Sequence, residues 1–411
     1  MVNEEITLEG HIIDSLTFTH VLDDIIAFGG DFRILEVHVG QGRNDRSHAR
    51  LDVSAATQDA LGRLLAQLSK HGAMVTHQAD ARLVPADLDG AFPDDFYATT
   101  NQTTFVRHAG VWIETRAQEM DCGIVFDPQQ TAFRCRAMNQ VRRGELIVCG
   151  HLGVKVVPHE KARNRGVFEF MSSEISTEKP KAALIRQSAS LMAHCKQQGK
   201  RILLVAGPAV VHTGSVAHVV RLIERGFIDV LFAGNALAAH DIENALFGTS
   251  LGVYTEQATL ADTGHEHHLR AINTIRRLGG IRPAVEAGVL TSGIMHACVR
   301  HNVEYVLAGS IRDDGPLPDV ITDSQEAQER MRAAIHGGNI GFALMVATAL
   351  HSIATGNLMP SSIPAVCVDI TPMTLTKLSD RGSFQTLGLV TDVAPFLREL
   401  VQDLETLAPP T

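Results

Sequence analysis

The chain has 411 residues, which is too long for one ordinary hydrophobic core, so two or three domains are expected. Hydrophobic residues make up 45% of the chain and charged residues 20%, as in ordinary globular proteins. The net charge of −10 disfavours a nucleic-acid partner, because such proteins carry clustered lysines and arginines that neutralise phosphates.

The cysteines and the amino-terminal segment indicate a reducing compartment. Six cysteines are scattered without a CxxC pair, and the opening MVNEEITLEG lacks the basic and apolar regions of a signal peptide. The sequence contains no run of about 18 apolar residues, so no membrane span is expected. It therefore predicts a cytoplasmic protein without a membrane partner, in which the free thiols are buried.

Residues 1–90 predict a small α+β module. Strands are expected at residues 6–13 and at 32–39, where apolar and polar residues alternate, with a helix between them. Another strand is expected at residues 49–53, and Thr57 is placed to cap a helix whose leucines recur at helical spacing. This β-α-β-β-α order predicts a ferredoxin-like or ACT-like module.

Residues 91–180 predict a compact β-rich unit and a linker. The strand candidates FVRHAGVWIET, GIVFD, AFRCRAM and GELIVCG are short and are separated by glycine, Asp-Pro and charged turns. The stretch from 163 to 180 is polar apart from its phenylalanines, so we expect it to connect this unit to the rest of the chain.

Residues 181–411 predict an α/β domain with a parallel sheet. Apolar runs such as RILLVAG, DVLFAG, EYVLAG and AVCVDI alternate with helical segments, and a long apolar helix is expected at residues 340–353. Strands without in-out alternation, each followed by a helix, indicate a parallel sheet that is buried on both faces. The predicted fold class is therefore α/β, with this domain preceded by the α+β module and the β-rich unit.

The loops that follow these apolar strands are the candidate binding site, because such sheets bind ligands at the carboxyl ends of their strands. Glycines in these loops would let backbone N–H groups approach a phosphate or sugar. Asp314, Asp369 and Asp392 are candidates for contact with ribose hydroxyls, although helix-capping aspartates would produce the same pattern. No G-x-G-x-x-G follows a strand, so the pattern alone does not identify a dinucleotide.

The run GHEHH at residues 264–268 invites a metal interpretation, since histidine is a common metal ligand. Adjacent histidines in a polar loop rarely point at one ion, and no cysteine or aspartate constellation frames them. We therefore expect a solvated loop here and no bound metal.

Several long motifs resemble one family over nearly the whole chain. They are FPDDFYATTNQTTFVR, RAQEMDCGIVF, FEFMSSEISTEKP and DVLFAGNALAAHDIENALFGTSLG, continued by AGSIRDDGPLPDV, GNLMP and CVDITP. The chain resembles the family of the lysine-oxoglutarate reductase/saccharopine dehydrogenase conserved region, which includes archaeal-type ornithine cyclodeaminases. It is also similar to the carboxy-terminal part of cyanobacterial arginine-degrading bifunctional enzymes. The resemblance implies an NAD-dependent ammonia-lyase of ornithine cyclodeaminase type.

The carboxy-terminal half more distantly resembles the NAD domain of deoxyhypusine synthase, in its loops AGPAVVHTGS, AGNALAAHDIE, RDDGPLPD and TDVAP. The catalytic lysine segment of deoxyhypusine synthase has no clear counterpart, which argues against that reaction. The resemblance implies a deoxyhypusine-synthase-like NAD domain, with NAD contacts at Asn235, Ala236, Asp314, Asn357, Leu358, Asp369, Asp392 and Val393.

The family resemblance implies conversion of L-ornithine to L-proline and ammonia, with NAD+ taking a hydride and later returning it. A cation must then hold the α-carboxylate, for which a planar arginine is well suited, and an acid–base group must move protons. The β-rich segment supplies the candidates, because the parallel-sheet domain already supplies the cofactor site. They are Arg116, Arg134 and Lys155 for the carboxylate, Asp121 as base or as partner of the δ-ammonium, and Asn101 with Thr100 to orient the amine, while Glu174 and Glu178 are further carboxylates.

For each of these side chains an ordinary surface ion pair or a turn is the alternative, and two alternative functions stay open. The protein could be an NAD-dependent dehydrogenase of another amino acid, which would accumulate NADH. It could also be a non-catalytic sensor in which the ACT-like module binds an amino acid and NAD is structural. We expect the ligand to be a small basic amino acid and the protein to be a homo-oligomer, either a dimer or a tetramer.

Overall fold

The computed structural model describes residues 1–13, 15–41, 45–75, 79–157, 181–254, 259, 264–313, 315–383 and 385–407. It divides into two compact units. The first comprises the described residues of Met1–Ser172 with Met359–Ser362, and the second those of Ser173–Leu358 with Ile363–Thr411. In this part of the chain no helix has both the length and the apolar character needed to span a bilayer.

A four-stranded antiparallel sheet with two helices begins the first unit. Its strands pair in the order β2-β3-β1-β4, and both helices pack on one face around a core that includes Ile6, Leu51 and Leu64. The predicted cap is confirmed, because Thr57 accepts a hydrogen bond from the Ala60 N–H at 3.2 Å. The elements are β1 (Val2–Gly10), α1 (Thr17–Ala27), β2 (Asp31–His38), β3 (Ser47–Ala55), α2 (Gln58–Lys70) and β4 (Met74–Val75).

A second sheet of seven short strands completes the first unit. The strands pair in the order β11-β6-β7-β9-β8-β10-β5, all antiparallel except β7 with β9. Its first strand precedes residue 90, so part of the predicted α+β segment belongs to this sheet. The strands are β5 (Arg82–Pro85), β6 (Thr103–His108), β7 (Val111–Arg116), β8 (Gly123–Asp127), β9 (Ala132–Arg136), β10 (Leu146–Cys149) and β11 (Val154–Val157).

The second unit contains a parallel sheet of seven strands in the order β17-β16-β13-β12-β18-β19-β20. Most side chains of its central strands are buried on both faces, as the absence of in-out alternation predicts. The strands of this sheet are β12 (Arg201–Ala206), β13 (Val230–Gly234), β16 (Glu304–Ala308), β17 (Val320–Ile321), β18 (Ile340–Val346), β19 (Ala365–Asp369) and β20 (Thr386–Val390), and a hairpin adds β14 (Thr249–Ser250) and β15 (Val253–Tyr254).

Helices connect the parallel strands. They are α3 (Lys181–Gln197), α4 (Ala209–His212), α5 (Val216–Glu224), α6 (Asn235–Phe247), α7 (His267–Leu278), α8 (Ile281–Glu286), α9 (Ile294–Arg300), α10 (Ser324–Gly337), α11 (Ala349–Leu358), α12 (Pro372–Asp380) and α13 (Val393–Leu407).

The prediction of one long helix at residues 340–353 is wrong. Residues 340–346 form strand β18, which pairs with β12 on one side and β19 on the other, and a helix begins only at Ala349. A strand that is buried on both faces is a continuous apolar run, which periodicity cannot distinguish from a buried helix. The correction matters for function, because β18 pairs directly with β12, the central strand of the sheet.

Candidate functional site

The order of the strands in the parallel sheet reverses between β12 and β18. From β12 the chain proceeds outward through β13, β16 and β17, then returns to β18 on the other side of β12 and continues to β19 and β20. Loops that leave two adjacent strands in opposite directions open a crevice at their carboxyl ends, and α/β sheets bind ligands there. The carboxyl ends of β12 and β18 are therefore the candidate site of the second unit.

Gly207, which follows β12, lies against the backbone that follows β18. A Cβ at Gly207 would stand 1.8 Å from the carbonyl oxygen of Ala347, and Ala347 itself has a φ of 52°. The two loops can approach this closely only because Gly207 has no side chain. The crossover is consequently a close contact between the backbones of these two loops.

His351 lies over the carboxyl end of β13. A Cβ on Gly234 would stand 3.1 Å from its Cε1, and its Nδ1 lies 3.2 Å from the Thr348 hydroxyl. Burial lowers the pKa of His351, and the Asp313 carboxylate opposes this shift. His351 is therefore a half-buried imidazole beside the crossover that is neutral at neutral pH.

Asn235 and Ala236, which the sequence predicts as NAD contacts, form the first turn of α6. The side-chain oxygen of Asn235 accepts a hydrogen bond from the Leu317 N–H at 3.0 Å and so holds the loop that follows β16. The N-cap residue is Gly234, which has no side chain with which to cap the helix. The first N–H groups of α6 therefore face the carboxyl end of the sheet without a capping side chain, an arrangement that favours anions.

Asn357 and Leu358, also predicted as NAD contacts, end α11. Leu358 is buried among apolar side chains. The side-chain oxygen of Asn357 is buried and has no hydrogen-bond partner within the described part of the chain. Buried acceptors are almost always paired, so Asn357 is available to accept a hydrogen bond from a ligand.

Two of the acids predicted for ribose accept hydrogen bonds from residues close to them in the chain, near the start of a helix. Asp369 accepts hydrogen bonds from the Thr371 N–H at 3.0 Å and from the Thr374 hydroxyl at 3.0 Å. Asp392 is exposed and accepts one from the Ala394 N–H at 3.2 Å at the start of α13, where Val393 is buried. The capping alternative thus describes Asp392, whereas Asp369 precedes the N-cap residue Thr371 and bonds to it. The role of both acids toward NAD stays a prediction. Asp314 lies outside the described residues.

In the first unit the three predicted cations lie on one face of the seven-stranded sheet. Arg116 on β7 and Arg134 on β9 are register partners. Lys155 pairs with Phe105, which pairs in turn with Glu114. Glu114 lies two residues before Arg116 on β7, so all of these side chains are on the same face. Arg116, Arg134 and Arg136 line a pocket of about 240 Å³. Their shared face makes this pocket a candidate anion site.

The charges of this pocket are unevenly compensated. Arg136 pairs with Glu145 at 3.1 Å, and Arg116 donates a hydrogen bond to Gln130 at 3.4 Å. The side chain of Arg134 makes no hydrogen bond or ion pair with any described residue. Since the planar guanidinium binds carboxylates with two parallel hydrogen bonds, Arg134 is the residue that an incoming carboxylate would find free.

Asp121 and Asn101 occupy opposite environments. Asp121 is exposed in a turn before β8, with a φ of 61°, so the partial burial that a general base would use is not present around it. Asn101 is buried, and its backbone carbonyl accepts a hydrogen bond from the Ser361 N–H at 2.8 Å. Among the further candidates, Glu174 and Glu178 lie outside the described residues.

Sequence reasoning missed a buried polar cluster next to Asp121, formed by Thr99, Gln118 and Glu119. The Thr99 hydroxyl donates to the Glu119 carbonyl at 2.7 Å, and the Gln118 amide donates to the Thr100 carbonyl at 2.6 Å. The cluster joins two loops about 20 residues apart, and periodicity within either loop does not reveal it. The signal available in the sequence was a pair of polar residues, Gln118-Glu119, immediately before an apolar strand.

Sequence reasoning also missed a histidine network in the second unit. The prediction of a solvated loop is wrong at His267, which begins α7 and bonds to the Thr249 hydroxyl at 2.8 Å. Thr249 in turn donates to the buried Glu243, which also accepts from His240. The spacing of His240 and Glu243, three residues apart on a predicted helix, was the available signal. Within the described ranges no group of three or more His, Cys, Asp or Glu side chains could hold a metal ion.

The six cysteines are buried and free, which confirms the predicted thiols. Burial raises the pKa of Cys135 to about 12 and also that of Cys367 to about 12. Such thiols are protonated at neutral pH and are weak nucleophiles. These two thiols are therefore poor candidates for a nucleophile.

The crossover in the parallel sheet defines the second unit as a doubly wound α/β domain of the Rossmann class. Three family models cover the chain from residue 3 to residue 400. They are described as the LOR/SDH bifunctional enzyme conserved region (residues 3–102) and as the first region (103–185) and the Rossmann fold (186–400) of the ArgZ-like arginine dihydrolase carboxy-terminal part. The chain belongs to this LOR/SDH and ArgZ-like family, which confirms the resemblance found in its motifs.

Individual relatives are similar along the whole chain. An ornithine cyclodeaminase of Methanothermobacter thermautotrophicus is 52% identical over 99% of both chains. The crystal structure of ArgZ, a cyanobacterial arginine dihydrolase, has a TM-score of 0.86 at 36% identity and matches 99% of this chain with 58% of its own. A ternary complex of AgrE with ornithine and NAD+ has a TM-score of 0.54 at 38% identity, over 100% of this chain and 58% of AgrE.

Proposed function

We propose that the protein is an NAD-dependent enzyme that converts L-ornithine to L-proline and ammonia. One observation carries the proposal: a Rossmann-type crossover crevice occurs in a chain that is 52% identical, end to end, to an ornithine cyclodeaminase. The AgrE complex with ornithine and NAD+ supports both ligands.

The residues around the crossover fit NAD on three structural grounds. Gly207 lets the backbones of the two crossover loops pack against each other, α6 starts at the carboxyl end of β13 without a capping side chain, and the Asn357 oxygen is buried without a protein partner among the described residues. Asn235 would act by holding the loop that follows β16. A dinucleotide needs such backbone donors for its pyrophosphate and polar groups for its riboses. The finer likeness to the deoxyhypusine synthase NAD domain stays a prediction.

The chain's own groups have three tasks in this reaction. Arg134, with Arg116 and Lys155 on the same face, would bind the α-carboxylate by charge-assisted hydrogen bonds. Asn101 or Asp121 would orient the amine, and a base must take a proton from the δ-ammonium before it can attack. When bound, NAD+ supplies an acceptor for the electron pair that leaves the α-carbon, and the same pair is returned later, so the overall reaction consumes no oxidant.

The proposal is tested by incubating the purified protein with NAD+ and L-ornithine and measuring proline, ammonia and NADH absorbance. We expect proline and ammonia in equal amounts at constant NADH absorbance. A steady rise in NADH absorbance with a basic amino acid would favour the dehydrogenase alternative. Binding of NAD without any turnover across a panel of basic amino acids would favour the sensor.

The first four-stranded sheet supports an ACT-like or ferredoxin-like module, because its β-α-β-β-α-β order pairs as β2-β3-β1-β4. We also propose a homo-oligomer. The edge strand β2 supports it, because Ile34 and Val37 are 46% and 40% exposed although their register partners on β3 are buried. A cytoplasmic location stays a prediction.

A further inference from the structure

Glu243 is a completely buried carboxylate that two histidines share. His240 lies on the same helix, with its Nδ1 2.8 Å from one carboxylate oxygen of Glu243. His267 lies on α7, with its Nδ1 2.8 Å from the Thr249 hydroxyl, which is itself 2.9 Å from the other carboxylate oxygen. The backbone N–H of Gly252 also donates to this second oxygen at 3.0 Å.

The chemistry of the donors fixes where the protons lie. An ionised carboxylate only accepts hydrogen bonds, so Nδ1 of His240 must carry its proton and Nε2 must carry the lone pair. The Thr249 hydroxyl gives its one proton to Glu243, and therefore accepts the Nδ1–H of His267. Burial raises the pKa of Glu243, but the hydrogen bonds from His240, Gly252 and Thr249 outweigh it and lower the pKa below its usual value. The network thus contains one negative charge and two imidazole rings that carry a proton on Nδ1.

Two further histidine rings lie near His240. The ring of His212, on α4, lies 4.9 Å away from it, and the ring of His268, on α7, lies 6.1 Å away. Burial lowers the pKa of His212, and the charge of His240 lowers it further. His212 is consequently neutral at neutral pH, and Glu243 is the carboxylate that is hydrogen-bonded to His240.

The position of the network relates it to the crossover. Helix α6 starts directly after β13, and α4 starts three residues after β12 ends, so both helices leave the carboxyl ends of adjacent central strands. Ligands of such a sheet bind on that side. The Nε2 of His240 makes no hydrogen bond with any described residue, which leaves it available to a ligand.

We propose that His240 is the acid–base residue of the reaction and that Glu243 is its positioning residue, an inference that rests on the proposed conversion of ornithine. Nε2 of His240 takes a proton from the δ-ammonium and so frees the δ-amine for attack. The α-ammonium must also lose a proton before the hydride leaves, and that proton is regained when the released ammonia becomes ammonium. The resulting imidazolium, paired with the Glu243 carboxylate, returns that proton to the amine that leaves as ammonia. No proton is gained or lost over the cycle.

Three variants test the assignment. His240→Asn keeps an N–H donor near the Nδ1 position and removes Nε2, so the hydrogen bond to Glu243 can persist while the base is lost. Glu243→Gln keeps the shape and removes the negative charge. His194→Gln removes an exposed imidazole on α3 and serves as the matched control. Each is measured for proline formation as a function of pH and for NADH binding by fluorescence, and the imidazole titrations are followed by NMR on histidine-labelled protein without ligands.

We expect His240→Asn to lose about 10²- to 10⁴-fold in turnover, the usual cost of removing an acid–base group, with NADH affinity retained. Glu243→Gln should move the acid limb of the pH profile and the NMR titration of His240 to lower pH, because imidazolium loses its counter-charge. A purely structural Glu243 would change stability without moving either titration. Even if His240→Asn fails to fold, the Glu243→Gln titrations decide whether the pair is coupled.

The inference is overturned if folded His240→Asn binds NADH and forms proline at close to the wild-type rate, or if Glu243→Gln leaves both titrations where they were. A large loss in Asp121→Asn together with normal turnover in His240→Asn would assign the base to Asp121 instead. Wild-type protein that forms no proline would instead overturn the proposed function itself, and the wild-type assay separates that failure from the others.

Discussion

Asp241, next to His240 on α6, is a fully buried acid, and its hydrogen bonds only partly offset the cost of burying its charge. Its two oxygens accept hydrogen bonds from the Ile294 and Met295 N–H groups, both at 2.8 Å, at the start of α9. Burial raises its pKa from 3.8 to about 6, although these two hydrogen bonds lower it. Between these pH values this group binds more protons in the folded protein than in the unfolded chain, so its contribution to stability is fully present below pH about 4 and is lost as pH rises to about 6.

We expect the free energy of unfolding to decrease by about 2–3 kcal/mol from this group between pH about 4 and about 6. Asp241→Asn cannot titrate, so its unfolding free energy should lack this component, whatever its absolute stability. Urea unfolding of both proteins across this pH range measures the difference between the two curves. Parallel curves would show that Asp241 does not titrate in this window.

Asn235 is a predicted NAD contact whose side chain also holds a loop in place. Its side-chain oxygen holds the buried N–H of Leu317, so Asn235→Ala would leave that donor without a partner at a cost of about 1–3 kcal/mol. We expect weaker NADH binding by about 5- to 150-fold, because the loop after β16 loses its attachment. Asn235→Asp keeps an acceptor at this position and should bind NADH more tightly than the alanine variant. Equal affinities for the two variants would contradict this role.

At the scale of single residues, the sequence indicated types of chemistry better than partnerships. It predicted Arg116 and Arg134 as a carboxylate site, but their adjacency depends on the parallel pairing of β7 with β9, which no local pattern encodes. It selected Asp121 and missed Glu119, two residues away, because burial decides between them and only the folded loops create that burial. The Glu243 network was missed for a similar reason, since His212, His240 and His267 come from three separate helices.

At the scale of elements, the crossover depends on one contact between two loops. A Cβ at Gly207 would collide with the backbone of Ala347, so Gly207→Ala must push the β12 and β18 loops apart. We expect a loss of about 1–3 kcal/mol in stability and at least about a tenfold loss in NADH affinity. Gly337→Ala, at a helical position with nothing within 4 Å of the added Cβ, is the matched control and should be neutral or stabilising.

Thermal unfolding and NADH fluorescence titrations measure both effects in the two glycine variants. Normal NADH affinity in Gly207→Ala would remove the crossover from the cofactor site.

Some helices and strands could be predicted from their sequence pattern and others could not. The amphipathic helix α2 and its Thr57 cap could be predicted, because one face is apolar and the capping residue has a local signature. Strand β18 could not, because its apolar run continues without a glycine or proline break into α11, so the strand and the helix read as one apolar segment. The least predictable element was therefore the strand that defines the crossover.

At the scale of the whole molecule, the exposed edge of β2 is complementary to itself. Arg33 pairs across the sheet with Asp52 and Glu36 with Arg50, and a bulge between them keeps both charges on one face. If two copies meet antiparallel about a two-fold axis between Ile34 and Leu35, Arg33 of one faces Glu36 of the other. Asp31 then faces His38. This self-complementary arrangement supports the proposed homo-oligomer, with β2 as the predicted interface.

We expect Arg33→Glu and Glu36→Arg each to weaken the dimer by about 5- to 30-fold, since two exposed ion pairs become repulsive. The double variant restores both intermolecular pairs and should recover most of the affinity, while its effects within each copy are the same as in the single variants. Sedimentation equilibrium measures all four dissociation constants. A wild-type protein that stays monomeric would rule out this edge as the interface. So would a double variant whose loss of dimerisation free energy is the sum of the two single losses.

The four residues Met359–Ser362 give the chain a particular order of assembly during synthesis. They lie between α11 and β19 of the second unit, yet they group with the first, where the Ser361 N–H donates to the Asn101 carbonyl. A ribosome must therefore release most of the second unit before the first has its full set of contacts. Neither unit is a continuous stretch of the gene, so a fragment cut at the linker leaves the Asn101 loop incomplete.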